Sequence, residues 1–175
     1  MGQSGLKCTI IPVYGAKIPQ KRRFIPQNRS KGVANVSFVG SYSHSLDAKN
    51  RVFIPAKYRD ELGEVFYITR KFDTYLSIYT EDDWNAYLEK IEKLPESVAS
   101  EIQDIILGGA QKCTLDGSGR VIIEDRLLKH AKINKNVVFV GVGKQIRVWA
   151  EELWAEREEK RDFAKMREIL AEYGL

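Results

Sequence analysis

Two copies of one short stretch decide how this chain folds: Leu46-Asp47-Ala48-Lys49-Asn50-Arg51-Val52-Phe53-Ile54 and Leu115-Asp116-Gly117-Ser118-Gly119-Arg120-Val121-Ile122-Ile123. Both copies share the frame Leu-Asp-x-x-x-Arg-Val-x-Ile. The segments that follow also correspond, residues 65–69 to 137–141 and residues 76–84 to 146–154. Such self-similarity indicates one supersecondary unit that was duplicated. The sequence therefore predicts two similar units, each of roughly seventy residues, in one chain.

Each copy of the motif has the composition of a strand, a tight turn and a second strand. The carboxylates of Asp47 and Asp116 can bond backbone N–H groups two residues on, which starts a turn. Asn50 and Gly119 are residue types that suit a left-handed turn position. We therefore expect these four residues to form the two turns.

The arginine that ends each turn has two interpretations. Arg51 and Arg120 could simply pair with the aspartate of their own turn. An exposed ion pair contributes only about 0–1 kcal/mol, however, which hardly explains an arginine in both copies. The alternative interpretation gives these arginines a binding function.

The remaining periodicity predicts strands that alternate with short helices, and hence an α+β fold. Strands are expected at the motifs and as hairpins at residues 65–79 and 137–149. Short helices are expected at residues 55–63 and 125–131, since Pro55 suits a helix start and Gly63 a helix end. Longer helices are expected from Thr80, from about residue 97 to 107, and as one charged helix over residues 151–173.

Composition indicates an ordinary water-soluble protein and excludes several classes. The chain has 175 residues, 43% hydrophobic and 30% charged. No apolar run approaches the ~18–20 residues of a membrane span, and residues 1–12 lack the features of a signal peptide. Cys8 and Cys113 match no metal-site spacing. We expect a cytoplasmic protein without membrane contact, cofactor or metal.

The positive charge is concentrated at the start of the chain. Of 28 basic residues, seven lie in residues 1–35, which hold no acidic residue; residues 36–175 therefore carry 21 basic against 24 acidic residues. We expect residues 1–35 to be a disordered basic extension. Nucleic-acid binding by the folded part would need a localised basic face rather than bulk charge.

In the order and spacing of its motifs, the chain resembles the MraZ family. The resemblance rests on the first motif with the preceding Gly40-Ser41-Tyr42-Ser43-His44-Ser45 and the following Pro55-Ala56-Lys57-Tyr58-Arg59, and on Leu107-Gly108-Gly109-Ala110 and Val140-Gly141-Val142-Gly143 around the second. It implies two tandem AbrB-like swapped-hairpin repeats, a double-split β-barrel that forms a pseudo-dimer within one chain, with flanking helices. The implied divisions are residues 36–95 and 110–155 for the repeats, 96–109 for a linking helix and 156–175 for a charged C-terminal helix. The pattern begins near Phe38, so residues 1–35 are foreign to it, and Val36 is the hypothesised native start.

The resemblance also implies a function. Members of the family are nucleoid-associated transcription regulators of the division and cell-wall gene cluster. They bind short direct repeats in double-stranded DNA upstream of their own operon, as ring-shaped homo-oligomers, here expected to be an octamer or a dodecamer. The residues expected to contact DNA are Arg51 at a guanine edge, Lys49, Lys57 and Arg59 at phosphates, and additionally His44 and Arg120.

Departures from the family pattern predict that the two motifs differ. Asn50 stands where the first turn usually has Gly, and Glu124 where Pro is usual. Leu128 falls where the first unit has Arg59, so we expect more positive charge beside Arg51 than beside its counterpart.

Two other classes of function compete with DNA binding. Residues 36–175 hold two histidines, one cysteine and no phosphate loop, metal cluster or nucleophile motif, so we do not expect an enzyme. The other class is an antitoxin-like protein-interaction module of the AbrB fold, in which the charged C-terminal helix captures a partner.

Overall fold

The computed structural model describes residues 38–174, and the extension expected at residues 1–35 lies outside them. The first unit contains, in order, β1 (Phe38–Ser45), β2 (Arg51–Phe53), α1 (Ala56–Leu62), β3 (Phe66–Arg70), β4 (Leu76–Thr80), α2 (Glu81–Glu92) and α3 (Glu96–Ile106). The second contains β5 (Gln111–Cys113), β6 (Arg120–Ile122), α4 (Asp125–His130), β7 (Asn136–Gly143), β8 (Ile146–Ala150), α5 (Glu151–Glu159) and α6 (Phe163–Glu172). The order of elements is the same twice, as the repeat predicts.

The two units exchange strands. A six-stranded antiparallel sheet has the order β1-β7-β8-β4-β3-β5, and β2 pairs with β6 in a separate two-stranded ribbon. Exchanging the two units reverses the order of the six strands and leaves it otherwise unchanged, which indicates an approximate two-fold axis between β4 and β8. Outer strand β1 pairs with β7 of the other unit, and β5 likewise pairs with β3. The expectation of two swapped-hairpin repeats that form an intrachain pseudo-dimer is therefore confirmed.

One apolar cluster joins both units. It includes Val52 and Ile54 from the first motif and Val121 and Ile123 from the second, all buried. Full burial of such a side chain contributes roughly 1.5–3 kcal/mol. Tyr58 of α1 is also buried and donates a hydrogen bond of 2.9 Å to the carbonyl of Gly40. Because residues of both units fill the same core, neither unit has a complete core of its own.

The helices begin and end largely where their local signals predict. Pro55 precedes α1, and Gly63, with φ 79°, follows it. Thr80 caps α2 by accepting a hydrogen bond of 3.1 Å from the N–H of Asp83. Pro95 separates α2 from α3. Within residues 38–174, no helix is long and apolar enough to cross a membrane.

The expectation of a single C-terminal helix over residues 151–173 is wrong, because the chain forms two helices there. Helix α5 ends at Glu159 and α6 starts at Phe163. The Asp162 side chain accepts a hydrogen bond of 3.0 Å from the N–H of Lys165. Aspartate favours this N-cap arrangement over a helix interior, which explains a new helix start at this point. Neither α5 nor α6 has a buried residue.

Candidate nucleic-acid interface

The turn of the first motif is organised by one carboxylate. Asp47 Oδ1 accepts hydrogen bonds from the backbone N–H of Lys49 at 2.8 Å and of Arg51 at 3.0 Å. Asn50 closes the turn with φ 57°, in the left-handed region that asparagine tolerates better than most residues. The turn conformation therefore depends on a few residues adjacent in the sequence.

The turn of the second motif has the same bonds. Asp116 Oδ1 accepts from the N–H of Ser118 at 2.8 Å and of Arg120 at 3.0 Å. Gly119 has φ 82°. Asn50 and Gly119 thus provide the same left-handed position with different residue types.

Each motif arginine is held against its own aspartate. Arg51 Nε and Nη2 both lie 2.7 Å from Asp47 Oδ2. Arg120 Nε and Nη2 both lie 2.8 Å from Asp116 Oδ2. The side chains remain 30% and 26% exposed respectively. The structure therefore holds the turn-stabilising pair in both copies, and this geometry does not distinguish one arginine from the other.

Both aspartates are ionised at neutral pH. Hydrogen bonding from the N–H of Arg51 is the main cause that lowers the pKa of Asp47 to about 2, and the Lys49 N–H and the Arg51 guanidinium add to it. The N–H of Arg120 likewise lowers the pKa of Asp116. A carboxylate that stays ionised keeps each arginine side chain oriented over the ordinary pH range.

The ribbon of β2 and β6 brings the two motifs side by side. Arg51 lies opposite Ile122, and Phe53 lies opposite Arg120. Side chains of directly opposite residues share one face of an antiparallel ribbon. That face, defined here as the ribbon face, therefore carries both arginines with Phe53 (43% exposed) and Ile122 (55% exposed). A shallow recess of about 400 Å³ contains both arginines.

The two turns also hydrogen-bond to each other's units. Ile54 N–H donates to the carbonyl of Gly119 at 3.1 Å, and Ile123 N–H donates to the carbonyl of Asn50 at 3.0 Å. Each turn is therefore fixed by the strand of the opposite unit, so the two arginines have a defined relative position.

The expected excess of positive charge beside Arg51 is partly wrong. Arg59 lies against the turn of the second motif, where a Cβ atom added to Gly119 would come within 2.6 Å of its Cζ. Its Nε donates to the carbonyl of Ile54 at 2.7 Å. In return, Asn50 Nδ2 of the first motif donates to Asp125 of the second unit at 2.5 Å. The swapped hairpins explain why Arg59 lies beside the second motif. They place α1 of the first unit next to the second motif, and α4 of the second unit next to the first motif.

The other predicted contact residues differ in accessibility. Lys49 and Lys57 are exposed and form no ion pair with residues 38–174. His44 is half-buried, with its ring edge-to-face on Phe139 at a centroid distance of 5.8 Å. Burial, and secondly the positive charge of Arg59, lowers the pKa of His44 and so favours the neutral ring. A neutral imidazole provides a hydrogen bond but no charge for phosphate.

Sequence reasoning missed two lysines. Lys129 and Lys132 line a recess that also contains Asn50 and Asp125, next to the first turn. Both lysines are far from the first motif in the sequence. Their proximity to its turn could have been predicted only from the knowledge that α4 packs beside the motif of the opposite unit.

Comparisons with known proteins agree with the duplicated architecture. The family model described as "MraZ protein, putative antitoxin-like" matches twice, over residues 37–103 and 106–171. The transcriptional regulator MraZ of Caldanaerobacter subterraneus subsp. tengcongensis is 38% identical over 141 residues, which cover 78% of this chain and 99% of that protein. The transcriptional regulator MraZ of Carboxydothermus hydrogenoformans is 43% identical over 119 residues, which cover 67% of this chain and 83% of that protein. The transcriptional regulator MraZ of Clostridium tetani is 38% identical over 141 residues, 79% of this chain and 99% of that protein.

Proposed function

Because the chain belongs to the MraZ family, whose model matches both of its repeats, we propose that it is a DNA-binding transcription regulator. It binds short direct repeats upstream of its own operon, in the division and cell-wall gene cluster, and works in the cytoplasm at the nucleoid. The observation that carries the proposal is the ribbon face, where Arg51 and Arg120 lie together in one recess. The relatives' names support the regulatory role.

The ribbon face has the shape and chemistry that base readout needs. A major groove admits a two-stranded β-ribbon, and an arginine can bond a guanine edge through two donors. The aspartate behind each arginine restricts its rotamers before DNA binds, which lowers the entropic cost of the contact. Exposed Phe53 and Ile122 provide apolar surface for thymine methyl groups.

Phosphate contacts set the position of the ribbon on the duplex. We assign this role to Lys49, Lys57 and Arg59, with His44 as a hydrogen-bonding contact. Lys129, whose recess adjoins the first turn, adds a cation from the opposite unit. In this proposal the lysines and Arg59 supply the localised positive charge that DNA binding requires, on a part of the chain with more acidic than basic residues.

Several subunits are needed, because one subunit offers few cations. We propose a closed homo-oligomeric ring, an octamer or a dodecamer, that engages successive DNA repeats. Support comes from α6 and the residue that follows it, whose large apolar side chains are exposed in the single chain: Phe163, Met166, Ile169, Leu170 and Tyr173. An apolar helix face of this extent is suited to burial against a neighbouring subunit.

DNA binding is tested by fluorescence anisotropy on the DNA directly upstream of the gene. We expect tight binding to DNA with several direct repeats, a marked loss when only one repeat remains, and a steep decrease with salt. The double variant Arg51→Ala/Arg120→Ala should lose binding, while Lys90→Ala, on the exposed side of α2, should retain it. Equal affinity for the upstream DNA and a scrambled duplex would contradict sequence-specific regulation.

An antitoxin-like interaction module is the alternative, and the same α6 surface favours it. In that case the exposed helix captures a partner protein, and the ribbon face is not essential. Removal of residues 161–175 would then abolish partner capture with DNA binding unchanged, whereas in the regulator it should weaken both assembly and DNA binding.

A further inference from the structure

The outer face of the six-stranded sheet contains an unusual group of buried polar atoms where β4 pairs with β8. Five buried side-chain polar atoms within residues 38–174 lack a hydrogen-bond partner, and four of them lie in this region: Ser77 Oγ, Gln145 Oε1, Arg147 Nε and Trp149 Nε1. Ser77 and Arg147 are direct cross-strand partners. A buried polar atom without a partner costs about 1–3 kcal/mol. Their concentration in one region therefore calls for a functional explanation.

Two basic side chains converge on the same region. Lys71 Nζ lies 3.9 Å from the ring centroid of Tyr87 and 5.1 Å from that of Tyr79. Arg147 Cζ lies 5.1 Å from the ring centroid of Tyr75. Neither basic group forms an ion pair with a carboxylate in the described part of the chain. The tyrosine rings hold the two cations in position without neutralising them.

The environment of Lys71 disfavours the charged form of its ammonium group. Burial, and secondly the positive charge of Arg147, lowers the pKa of Lys71 to about 8. The ammonium group is therefore largely charged at pH 7 in a place that penalises that charge. A perturbed basic group next to a concave surface is typical of functional sites, because an anionic ligand would remove the penalty.

A concave surface of suitable size adjoins these groups. The recess, of about 660 Å³, includes residues of the β3–β4 and β7–β8 turns. Its lining contains Lys71, Tyr75, Tyr79, Gln145 and the exposed Lys144, among others. Small-molecule sites have volumes of about 300–1,000 Å³. Its lining residues contain one carboxylate, Asp73, against two lysines. The lining of the recess therefore has net positive charge.

We propose that this recess, here named the anion recess, binds a small molecule through a phosphate or carboxylate group. Lys71 and Lys144, which line the recess, contact the anion, and the neighbouring charge of Arg147 adds to the local positive potential. The tyrosines position both cations and exclude water from one side. This site is separate from the ribbon face, and its existence does not depend on DNA binding.

The proposal is tested by isothermal titration calorimetry on the full chain at constant ionic strength. Inorganic phosphate and citrate are titrated in separate experiments. The unsubstituted protein should bind at least one of the two anions. Lys71→Met should weaken that binding at least tenfold, Arg147→Met should weaken it by a smaller factor through the lost neighbouring charge, and Lys90→Met, a lysine of α2 that does not line the recess, should leave it unchanged. Because Lys71→Met removes a penalised charge, this variant should fold stably, as a thermal melt will check.

Three results would overturn the proposal. The first is no binding of either anion by the unsubstituted protein. The second is binding that all three variants retain equally, which would indicate non-specific attraction. The third is a changed oligomer mass of the Lys71→Met variant in light scattering, when the unsubstituted protein binds neither anion. That result would indicate that a carboxylate of a neighbouring subunit occupies the recess.

Discussion

The guanidinium of Arg59, in the first unit, lies against Gly119, in the turn of the second unit. A Cβ atom on Gly119 would lie 2.6 Å from Arg59 Cζ, closer than real Cβ contacts allow. The same glycine has φ 82°, which favours glycine. Arg59 thus brings positive charge from the first unit to the motif of the second. Gly119 is constrained both by its left-handed conformation and by the contact with Arg59.

Gly119→Ala should destabilise the protein, because alanine must adopt a left-handed conformation and displace Arg59. We expect a loss of about 1–3 kcal/mol in the free energy of unfolding, measured by urea denaturation. Gly117→Ala in the same turn is the control, since a Cβ there meets no atom within 4 Å. Equal effects of the two substitutions would show that neither the left-handed conformation of Gly119 nor its contact with Arg59 makes this position special.

Arg51→Ala and Arg120→Ala should weaken DNA binding by similar amounts, about 1–3 kcal/mol for each engaged subunit. The reason is that both side chains have the same geometry on the same ribbon face. The melting temperature should change little, because an exposed ion pair contributes only about 0–1 kcal/mol. Anisotropy titrations of both variants, beside Lys90→Ala, measure this. If only one substitution affects DNA binding, the two motifs have different roles.

Asp47→Asn should weaken DNA binding while the turn persists, since the amide oxygen can still accept the backbone hydrogen bonds but no longer holds Arg51 by charge. The pKa of Asp47 is lowered, from 3.8 to about 2, so its ionised form stabilises the fold above pH 3.8 and this contribution disappears as pH falls through about 2. Acid unfolding curves should therefore depend less on pH in this window in the variant. Identical curves would indicate that the carboxylate does not stabilise the native turn.

Lys71→Met should raise the melting temperature at pH 7, because the folded protein holds a charged ammonium in an unfavourable environment. The pKa is lowered from 10.5 to about 8 on folding, so the penalty is complete below pH 8. Between pH 8 and 10.5 the unfolded chain binds a proton that the folded chain does not, and stability of the unsubstituted protein rises with pH. The advantage of the variant should therefore shrink from pH 7 to pH 10. A variant that is less stable at pH 7 would show that the ammonium is well accommodated.

Leu170→Glu should reduce the size of the assembly, because it places a charge on the exposed apolar side of α6. Light scattering at micromolar concentration should report a smaller mass, and DNA binding should weaken with the loss of multivalency. Glu168→Lys is the control, since the rotation of an α-helix places residue 168 away from the apolar side. An unchanged mass in Leu170→Glu would exclude this helix from the subunit interface.

The local parts of the structure could be predicted from the sequence, because the interactions that form them join residues close in the chain. The duplication, the Asp47 and Asp116 turns, the helix starts at Pro55 and Thr80 and the β3–β4 hairpin all depend on such contacts. The break at Asp162 was missed, although its signal is local, because a charged segment with sparse apolar residues resembles one continuous helix.

Only the tertiary structure determines which of the two units each side chain contacts. Strand exchange across the approximate two-fold axis buries the apolar faces of both units in one core, and no local pattern specifies the partner of each strand. That exchange carries Arg59 to Gly119, brings Lys129 beside Asn50 and places Lys71 beside Arg147. These pairs are distant in sequence, so their electrostatic and steric consequences follow only from long-range packing.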